Sequence, residues 1–492
     1  MMKKTFFLLL LVITTLIASI LTSSTTYSLE LKTEGVTKLE SILTNDPMMR
    51  GAISGLSVRS ASTGEILYSL NGETSLTPAS SLKLFTAIAA LTILGSDYTF
   101  NTEIKTDGKW ENKGVLKGNV YIKGGGDPTL TIKDIKMMAK QLKQKGIKTI
   151  DGDVIGDDSR YDTVRYSVDL PWTDETAYYG AQISALTASP DEEFDAGTIQ
   201  FQITPSQIGR APKITLTPST DYVIIHNKAR TTDAESVESI NIKRVHGKNE
   251  VMIEGSIPED KKMKKEWISI WNPTKYTLAL FKKEFAQQGI HVTGNYYPGI
   301  TTVNAQKLVL HESEPLSEIL IPFLKLSNNT IAEMLVKEMG KVTHNQGTWE
   351  KGLETEISTL DQLGIDVNNT VLRDGSGLSH INTTQVNTIT QSLYKAQSKE
   401  WFSQLYKALP VLGEEDKLTG GTLRKRMINT PLKQKVVAKT GTLTNVSSLS
   451  GFLETKSGEV VIFSIILNHM DDEKKGKIIE EKILSVLHNW LE

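Results

Sequence analysis

Residues 78–83 read Pro78-Ala79-Ser80-Ser81-Leu82-Lys83 and lead directly into an apolar run that extends to Leu94. The run predicts a helix, with Gly95 as its C-terminal stop. Ser80 then lies at the start of this helix, and Lys83 lies one turn later on the same face. In such a pair the lysine amine can accept the proton of the serine hydroxyl, which a free hydroxyl does not release near neutral pH. The stretch therefore predicts a nucleophile together with its base.

The spacing alone is a weak signal, because a second stretch of the chain also fits it. Residues 392–395 read Ser392-Leu393-Tyr394-Lys395. This second pair falls in the middle of a predicted helix, Thr384 to Lys395, and lacks the Pro-Ala lead-in. We therefore expect Ser80, and not Ser392, to be the nucleophile.

Two further fragments support Ser80 through their order and their predicted placement. Ser327-Asn328-Asn329 is predicted to form a loop between two helices, and Lys439-Thr440-Gly441 is predicted to lie on a strand. Gly441 would let a substrate approach the strand edge closely. Ser-x-Asn is common, since residues 69–71 and 239–241 also match, but Lys-Thr-Gly occurs once. The combination of helix, interhelix loop and strand is the informative signal.

Composition excludes several classes of chemistry. The chain has no cysteine, which excludes disulfides, thiolate metal sites and cysteine nucleophiles. Its eight histidines are scattered without a metal-binding motif, so we expect neither a metal nor a cofactor. The formal net charge of -2 gives no reason to expect a nucleic-acid partner. A chain of 492 residues is long enough for about two to four domains.

Residues 1–28 have the pattern of an export signal. Lys3 and Lys4 precede the apolar stretch Phe6 to Leu21, and small residues follow it. We expect this segment to be cleaved, and a retained N-terminal anchor is the alternative. The rest of the chain has no second long apolar run, so we expect at most peripheral membrane association.

The middle of the chain contains two similar stretches. A predicted helix over residues 132–145 leads into Gly146-Ile147 and a short strand, and a predicted helix over residues 277–288 leads into Gly289-Ile290 and another. We interpret these as two helix-strand units that pair in one subdomain, with chance similarity as the alternative. The residues between them, about 208–270, read as a small all-β module. The chain ends in a β-β-α pattern whose amphipathic helix, residues 474–491, we expect to cover the preceding strands rather than a membrane.

The three chemical fragments together resemble the penicillin-recognising serine enzymes, namely penicillin-binding proteins and serine β-lactamases. Ser327 follows Ser80 by 247 residues, far more than compact members use. A long insertion there resembles the D-alanyl-D-alanine carboxypeptidase/endopeptidase family, the low-molecular-mass class C penicillin-binding proteins of the type-4 kind, with Bacillus-type members the most similar. Other stretches also resemble this family: Gly125–Leu130, Gly152–Asp158, Tyr179–Leu186, Asp374–Ser379 and Leu409–Val411.

The resemblance implies an α+β fold. Its core would be a β-lactamase/transpeptidase-like domain, an antiparallel sheet flanked by helices, with two smaller inserted domains, one α/β and one mostly β. After the signal at residues 1–28, the catalytic domain would comprise residues 29–99 and 306–492. Inserted domain II would comprise residues 100–207 and 271–305, and inserted all-β domain III would comprise residues 208–270.

The resemblance also implies a role for each site residue. Ser80 would attack the carbonyl of the penultimate D-Ala and form an acyl-enzyme. Lys83 would be the base, with a pKa lowered by burial and by the like charge of Lys439. Ser327 would relay a proton to the leaving amine, and Asn329 would bind the substrate amide and hold Lys83.

Substrate binding is implied for the Lys-Thr-Gly strand. Lys439 and Thr440 would receive the terminal carboxylate beside Gly441, and the backbone N–H groups of Ser80 and Thr442 would form the oxyanion hole. The loop Asp374–Ser379 has a composition that suits a structural role at least as well as a catalytic one. Where the family often has Arg after this loop, the chain has His380.

The predicted function is a serine-type D-Ala-D-Ala carboxypeptidase, with DD-endopeptidase activity as an open addition. It would act on peptidoglycan stem peptides outside the cytoplasm, in association with the cell wall, and β-lactam antibiotics would be covalent inhibitors. One alternative is a serine β-lactamase, although no convincing Glu-x-x-Leu-Asn follows Asn329. Another is a non-catalytic wall-binding or β-lactam-sensing module, against which the intact set of Ser80, Lys83 and Lys439 argues.

Overall fold

The structure is a computed structural model that describes residues 34–111 and 114–490. The predicted signal at residues 1–28 lies outside the described residues. The helices in chain order are α1 (residues 34–45), α2 (Lys83–Ile93), α3 (Ile132–Gln144), α4 (Pro273–Gln287), α5 (Leu316–Lys325), α6 (Asn329–His344), α7 (Trp349–Gln362), α8 (Val386–Ala396), α9 (Phe402–Ala408), α10 (Lys417–Gly420) and α11 (Glu473–Asn489). Across these described ranges, no helix combines the length and the apolar character needed to cross a membrane.

The strands form several separate sheets. In chain order they are β1 (Ile53–Ser60), β2 (Ile66–Leu70), β3 (Asn101–Thr106), β4 (Lys109–Glu111), β5 (Val115–Lys117), β6 (Val120–Gly124), β7 (Thr149–Asp151), β8 (Val154–Asp157), β9 (Thr198–Thr204), β10 (Lys213–Thr217), β11 (Ile224–Asn227), β12 (Arg230–Thr232), β13 (Asn241–Arg244), β14 (Glu250–Glu254), β15 (Ser256–Pro258), β16 (Lys264–Ser269), β17 (His291–Val292), β18 (Tyr296–Pro298), β19 (Gln306–Glu312), β20 (Val436–Leu443), β21 (Val446–Glu454) and β22 (Val460–Asn468).

The chain divides into two compact units, which we describe one at a time. The first contains the described residues up to Ser81, the segment Thr384–Gln397 and the residues from Pro410 onward. Its centre is an antiparallel five-stranded sheet in the order β2-β1-β22-β21-β20. Alternate residues of a strand point to opposite faces. On one face, Leu56 joins the apolar core that contains α11, and on the other, Gly55 lies against Val386 of α8.

Helices therefore cover both faces of this sheet, which agrees with the predicted antiparallel sheet flanked by helices. The C-terminal helix α11 begins at an N-cap, Asp472, whose side chain accepts a hydrogen bond from Lys474 N. Its buried residues Ile479, Ile483 and Leu487 join the core beneath the strands. The expectation that this amphipathic helix packs on the preceding strands is confirmed.

The second unit comprises Leu82–Thr383 and Ser398–Leu409. One part is helical: α6 packs on α7, α2 packs on both, and α5 packs on α9. The other part contains mixed sheets, of which the largest has the strand order β18-β8-β6-β3-β19. Residues Lys83 to Leu91 of α2 are all buried, which is the pattern of a core helix rather than a surface one.

The two similar stretches of the middle region pair as predicted. His291–Val292 runs parallel to Thr149–Ile150, and Tyr296–Pro298 runs parallel to Val154–Gly156. Parallel strands need a crossover, and each member of these pairs follows a helix, α3 or α4. The strands of the predicted all-β module are also present, although β9, upstream of residue 208, pairs with β10 and β16. The predicted domain boundaries themselves stay predictions.

Two local predictions need correction. Ser80 lies on a 3₁₀ turn, Ala79–Leu82, and the α-helix begins only at Lys83. The backbone of Ala79 has a φ of 48°, which an α-helix does not allow. Asn329 is the first residue of α6 rather than part of a loop, because the Asn328 side chain accepts from Ile331 N and caps the helix one residue earlier than expected.

Candidate active site

The site residues predicted from the sequence fall in both units. Ser80, Lys439 and Thr440 belong to the first unit, and Lys83 and Asn329 belong to the second. We describe the two half-sites separately.

In the first half-site, Ser80 is half-exposed on a turn whose neighbouring residues, Ala79 and Ser81, are buried. A positive φ at Ala79 is uncommon for a residue with a side chain and persists only where the surroundings enforce it. Ser448 of β21 supplies part of that enforcement. Its hydroxyl donates to the Pro78 carbonyl over 2.7 Å and lies 2.8 Å from the Ser81 hydroxyl. Ser80 thus lies on a turn that β21 holds in place.

The Lys-Thr-Gly strand passes close to this turn. Gly441 of β20 pairs with Ser448, and a Cβ added to Gly441 would lie 2.8 Å from Ser80 N and 2.9 Å from Pro78 O. Real Cβ atoms do not approach backbone this closely, so only glycine fits here. The close neighbour of Gly441 in this structure is the Ser80 turn, and the predicted close approach of a substrate to Gly441 stays a prediction.

The same strand carries groups suited to an anion. Lys439 is fully buried, and its amine donates to the Thr440 carbonyl over 2.6 Å. The Thr440 hydroxyl donates to the hydroxyl of Thr422 over 2.8 Å. Thr440 is half-buried and Thr442 is exposed. The Lys439 amine and the hydroxyls of Thr440 and Thr422 are groups that suit a carboxylate ligand.

In the second half-site, Lys83 of α2 is fully buried and its amine has two neutral acceptors. It donates to Asn329 Oδ1 and to the Ser376 carbonyl, each over 2.7 Å. Burial lowers the pKa of Lys83 to about 7, although the carboxylates of Glu333 and Asp374 act in the opposite direction. An amine with this pKa is about half neutral near neutral pH and can act as a base there. The predicted effect of burial is therefore present, and the predicted contribution of Lys439 stays a prediction.

The Ser-Asn-Asn fragment positions its three side chains differently. Ser327 is half-exposed and has a φ of 61°, which lies in the left-handed region, as does that of Ala79 beside Ser80. The Asn328 amide donates to the carbonyls of Glu193 and Phe194 and to Asp195 Oδ1, which fixes the start of α6. Asn329 accepts from Lys83, as predicted, while its own amide donates to the Tyr179 carbonyl over 3.1 Å.

Sequence reasoning missed several residues that support the half-sites. The Asp374–Ser379 loop, whose role the sequence left open, supplies the Ser376 carbonyl to Lys83. Glu333 lies one helical turn after Asn329, a spacing that places two side chains on one helix face and could have indicated it. Ser448 and Thr422 carry no sequence signal. His380, which follows the loop, is exposed.

These half-sites carry the groups of a serine-type acyl-transfer enzyme that uses lysine as its base. Comparison with known proteins places the chain within this class. Residues 36–489 match the D-Ala-D-Ala carboxypeptidase 3 (S13) family, and the chain belongs to that family. A D-alanyl-D-alanine carboxypeptidase from Actinomadura sp. (strain R39) is 39% identical over 427 residues, which cover 86% of this chain and 79% of the relative.

Two comparisons with Haemophilus influenzae agree with this assignment. Its D-alanyl-D-alanine carboxypeptidase DacB is 28% identical over 422 residues, covering 85% of this chain and 86% of the relative. The crystal structure of its penicillin binding protein 4 (dacB) superposes with a TM-score of 0.79 at 25% identity, covering 92% of this chain and 99% of that one. The predicted family, α+β fold class and enzyme class, a serine-type D-Ala-D-Ala carboxypeptidase, are confirmed. The predicted likeness to Bacillus-type members stays a prediction.

Proposed function

We propose that Ser80, Lys83, Ser327, Asn329 and Lys439 act as one active site that removes the terminal D-Ala from peptidoglycan stem peptides through an acyl-enzyme on Ser80. One observation carries the proposal. Three residues after a half-exposed serine, a buried lysine amine is held by two neutral acceptors, and its pKa is lowered to about 7. A lysine amine with a pKa this low is suited to proton transfer.

In the proposed acylation step, the Ser80 hydroxyl proton passes to the Lys83 amine as Ser80 Oγ bonds to the carbonyl carbon of the penultimate D-Ala. The backbone N–H groups of Ser80 and Thr442 stabilise the oxyanion that forms. Ser327 passes a proton to the leaving amine of the terminal D-Ala. Water then hydrolyses the ester and restores Ser80.

Recognition of the substrate falls to the Lys-Thr-Gly strand and to Asn329. Lys439 and Thr440, with Thr422 beside Thr440, would bind the terminal carboxylate. The Asn329 amide, which donates to the Tyr179 carbonyl, is suited to binding a substrate carbonyl by the same donor. Carboxypeptidase and endopeptidase reactions differ only in what the leaving amine carries, so this site is compatible with both.

The two alternative functions are less well supported. A β-lactamase of class A type needs a carboxylate that activates the deacylating water. Glu333 is the acidic residue one turn along α6 from Asn329, but its two oxygens accept hydrogen bonds from Trp349 Nε1, Gly375 N and Ser376 N. A wall-binding or sensing module would have no use for a buried lysine of lowered pKa, since burying an amine costs free energy.

We also propose that the protein acts outside the cytoplasm, associated with the cell wall, after cleavage of residues 1–28. The support is the apolar stretch behind Lys3 and Lys4, together with a substrate class that lies in the wall. Any membrane association would be peripheral. Expression of residues 29–492 without detergent should give soluble protein, and a requirement for detergent would argue for the retained anchor.

Labelling with fluorescent penicillin tests the proposed active site. The wild-type protein should be labelled covalently, Ser80→Ala should abolish the labelling, and the matched control Ser392→Ala should be labelled like the wild type. Labelling that is lost in Ser392→Ala and kept in Ser80→Ala would overturn the assignment. Release of D-Ala from purified stem peptides would measure carboxypeptidase activity, and conversion of cross-linked dimers into monomers would measure endopeptidase activity. Rapid turnover of penicillin would favour the β-lactamase.

A further inference from the structure

Three carboxyl groups are buried in the second unit near Lys83. Glu333 of α6, Glu356 of α7 and Asp374 of the following loop are 6%, 0% and 0% exposed. Burial of several acidic groups in one place is costly unless each is paired or neutralised. The hydrogen bonds of the three groups differ, and the differences indicate what each one does.

Glu333 accepts three hydrogen bonds and anchors the loop that holds Lys83. Its Oε2 accepts from Trp349 Nε1 over 2.7 Å and from Gly375 N over 3.1 Å, and its Oε1 accepts from Ser376 N over 2.9 Å. A side chain that only accepts has the hydrogen-bonding pattern of an ionised carboxylate. Glu333 therefore accepts from the backbone N–H of Ser376, and the backbone carbonyl of the same residue accepts from the Lys83 amine.

Asp374 holds the other end of the same loop. Its carboxyl group accepts from Gly377 N over 2.8 Å, from Ser379 N over 2.6 Å and from the Asn382 amide over 2.8 Å. Burial, and then the neighbouring Glu333, raise the pKa of Asp374 to about 7, so this group carries its full negative charge only above that pH. The loop is therefore fixed from both sides by carboxyl groups.

Glu356 has a different environment, which favours its neutral form. Burial raises the pKa of Glu356 well above its usual range. The Thr86 hydroxyl lies 3.2 Å from Glu356 Oε1 and 2.8 Å from the Gly375 carbonyl. A carbonyl can only accept, so the single Thr86 proton goes to Gly375, and the protonated Glu356 can donate to Thr86 Oγ1. Glu356 therefore contributes no charge near Lys83.

We propose that Glu333 and Asp374 are positioning residues of the acylation reaction. They hold the Asp374–Ser379 loop so that the Ser376 carbonyl fixes the Lys83 amine, and their negative charge raises the pH at which that amine becomes neutral. This inference rests on the proposed function. It assigns a role to the loop that the sequence left open. Neither residue touches the reacting atoms; both act through Ser376 and Lys83.

The charged groups around Glu333 determine how the test is read. The charged ones are Lys83 on α2, Asp374 on the loop and Lys337 on α6 itself, one turn further along, and Glu356 on α7 is the titratable group whose raised pKa favours its neutral form. Lys337 donates to Asp162 and to the Val164 carbonyl and lies 3.8 Å from the centre of the Trp349 ring. Lys439 joins this group if the proposed active site is correct. Among these groups, only the carboxylates favour the charged form of Lys83.

The test replaces each acidic residue by its amide and measures the rate constant of acylation by fluorescent penicillin between about pH 5 and pH 9. In Glu333→Gln, the amide N–H₂ must face at least one of three N–H donors, so the loop shifts and the rate should fall about 10²-fold. Loss of the negative charge should also move the inflection of the pH profile about 1 unit lower. The matched control Glu356→Gln replaces a neutral acid by a neutral amide and should change the rate less than about twofold, with no shift of the inflection.

A second variant and a second readout keep the proposal testable. If Glu333→Gln does not fold, Asp374→Asn is the second variant: it removes the charge that Asp374 carries above about pH 7 and should shift the inflection in the same direction. An NMR titration of the Lys83 amine in wild type and variants should show the same lowering of its pKa without any turnover. An unchanged inflection and an unchanged Lys83 titration in both variants would overturn the proposal. Failure of penicillin to label the wild-type protein would instead overturn the proposed function, while the NMR titration would still decide the role of the two carboxylates.

Discussion

Two stretches of the chain, residues 80–83 and 392–395, have the same Ser-x-x-Lys spacing and opposite environments. Ser80 is half-exposed on a 3₁₀ turn, whereas Ser392 is buried in the middle of α8, where its hydroxyl donates to the Ile389 carbonyl of its own helix over 2.8 Å. The lysines are reversed as well. Lys83 is fully buried, and Lys395 is exposed.

This comparison separates the spacing from the chemistry. A serine can act as a nucleophile only if a substrate can reach it, and a lysine can act as its base only if its amine is partly neutral. The first pair has an accessible hydroxyl and a buried amine, and the second pair has a buried hydroxyl and an exposed amine. The same four-residue pattern thus has an environment suited to acylation in one place and the environment of ordinary helix packing in the other.

The largest difference in acylation rate that we expect between the two pairs comes from replacing the lysine of each pair in turn. Lys83→Ala should lower the rate of penicillin acylation by about 10²–10⁴, because proton transfer to a positioned base contributes that much. Lys395→Ala, the matched control, should change the rate less than about twofold. Stopped-flow labelling of both variants measures the difference, with circular dichroism to verify that each is folded. Equal losses in the two variants would remove the distinction between the two pairs.

The pH dependence of the wild type is the next largest effect. Acylation needs the neutral form of Lys83, whose pKa is lowered to about 7, so the rate should rise about tenfold per pH unit below pH 7 and level off above it. A solvent-exposed lysine titrates near 10.4, so a site that used one would still be gaining rate at about pH 9. Rate constants measured in buffers of constant ionic strength would distinguish the two profiles.

The sequence was sufficient for the parts of the site that lie in local motifs. Ser80, Lys83 and the Lys-Thr-Gly strand follow from spacing and local pattern, and the pairing of the two Gly-Ile units follows from their repetition. Prediction from local pattern was wrong where tertiary contacts determine the backbone conformation. The left-handed φ of Ala79 is enforced by the neighbouring strand, so the turn before α2 could not be predicted from a helix-like sequence.

The supporting residues could not be predicted for a different reason. Ser376 acts through its backbone carbonyl, which every residue possesses, and Glu333 acts by accepting backbone N–H groups from a loop more than forty residues away in sequence. Ser448 faces the Ser80 turn only because β21 pairs with β20. Such contacts are set by the packing of distant elements, which leaves no periodic signal in the chain.

The smallest effect that we predict tests why the first serine is presented to a substrate and the second is not. Gly441→Ala would introduce a Cβ 2.8 Å from Ser80 N, so the turn must move, and overpacking of this kind costs about 1–3 kcal/mol. If the displacement reduces transition-state binding by about 1.4 kcal/mol, acylation should slow about tenfold.

Gly458→Ala is the matched control, because no atom lies within 4 Å of its added Cβ. Its positive φ of 87° should lower the melting temperature without slowing acylation of the folded protein. If Gly441→Ala also lowers only the melting temperature, the close contact between β20 and the turn contributes to folding and not to presentation of Ser80. A selective loss of acylation would mean that access to the nucleophile depends on one glycine of the neighbouring strand, a constraint that Ser392, held within its own helix, does not have.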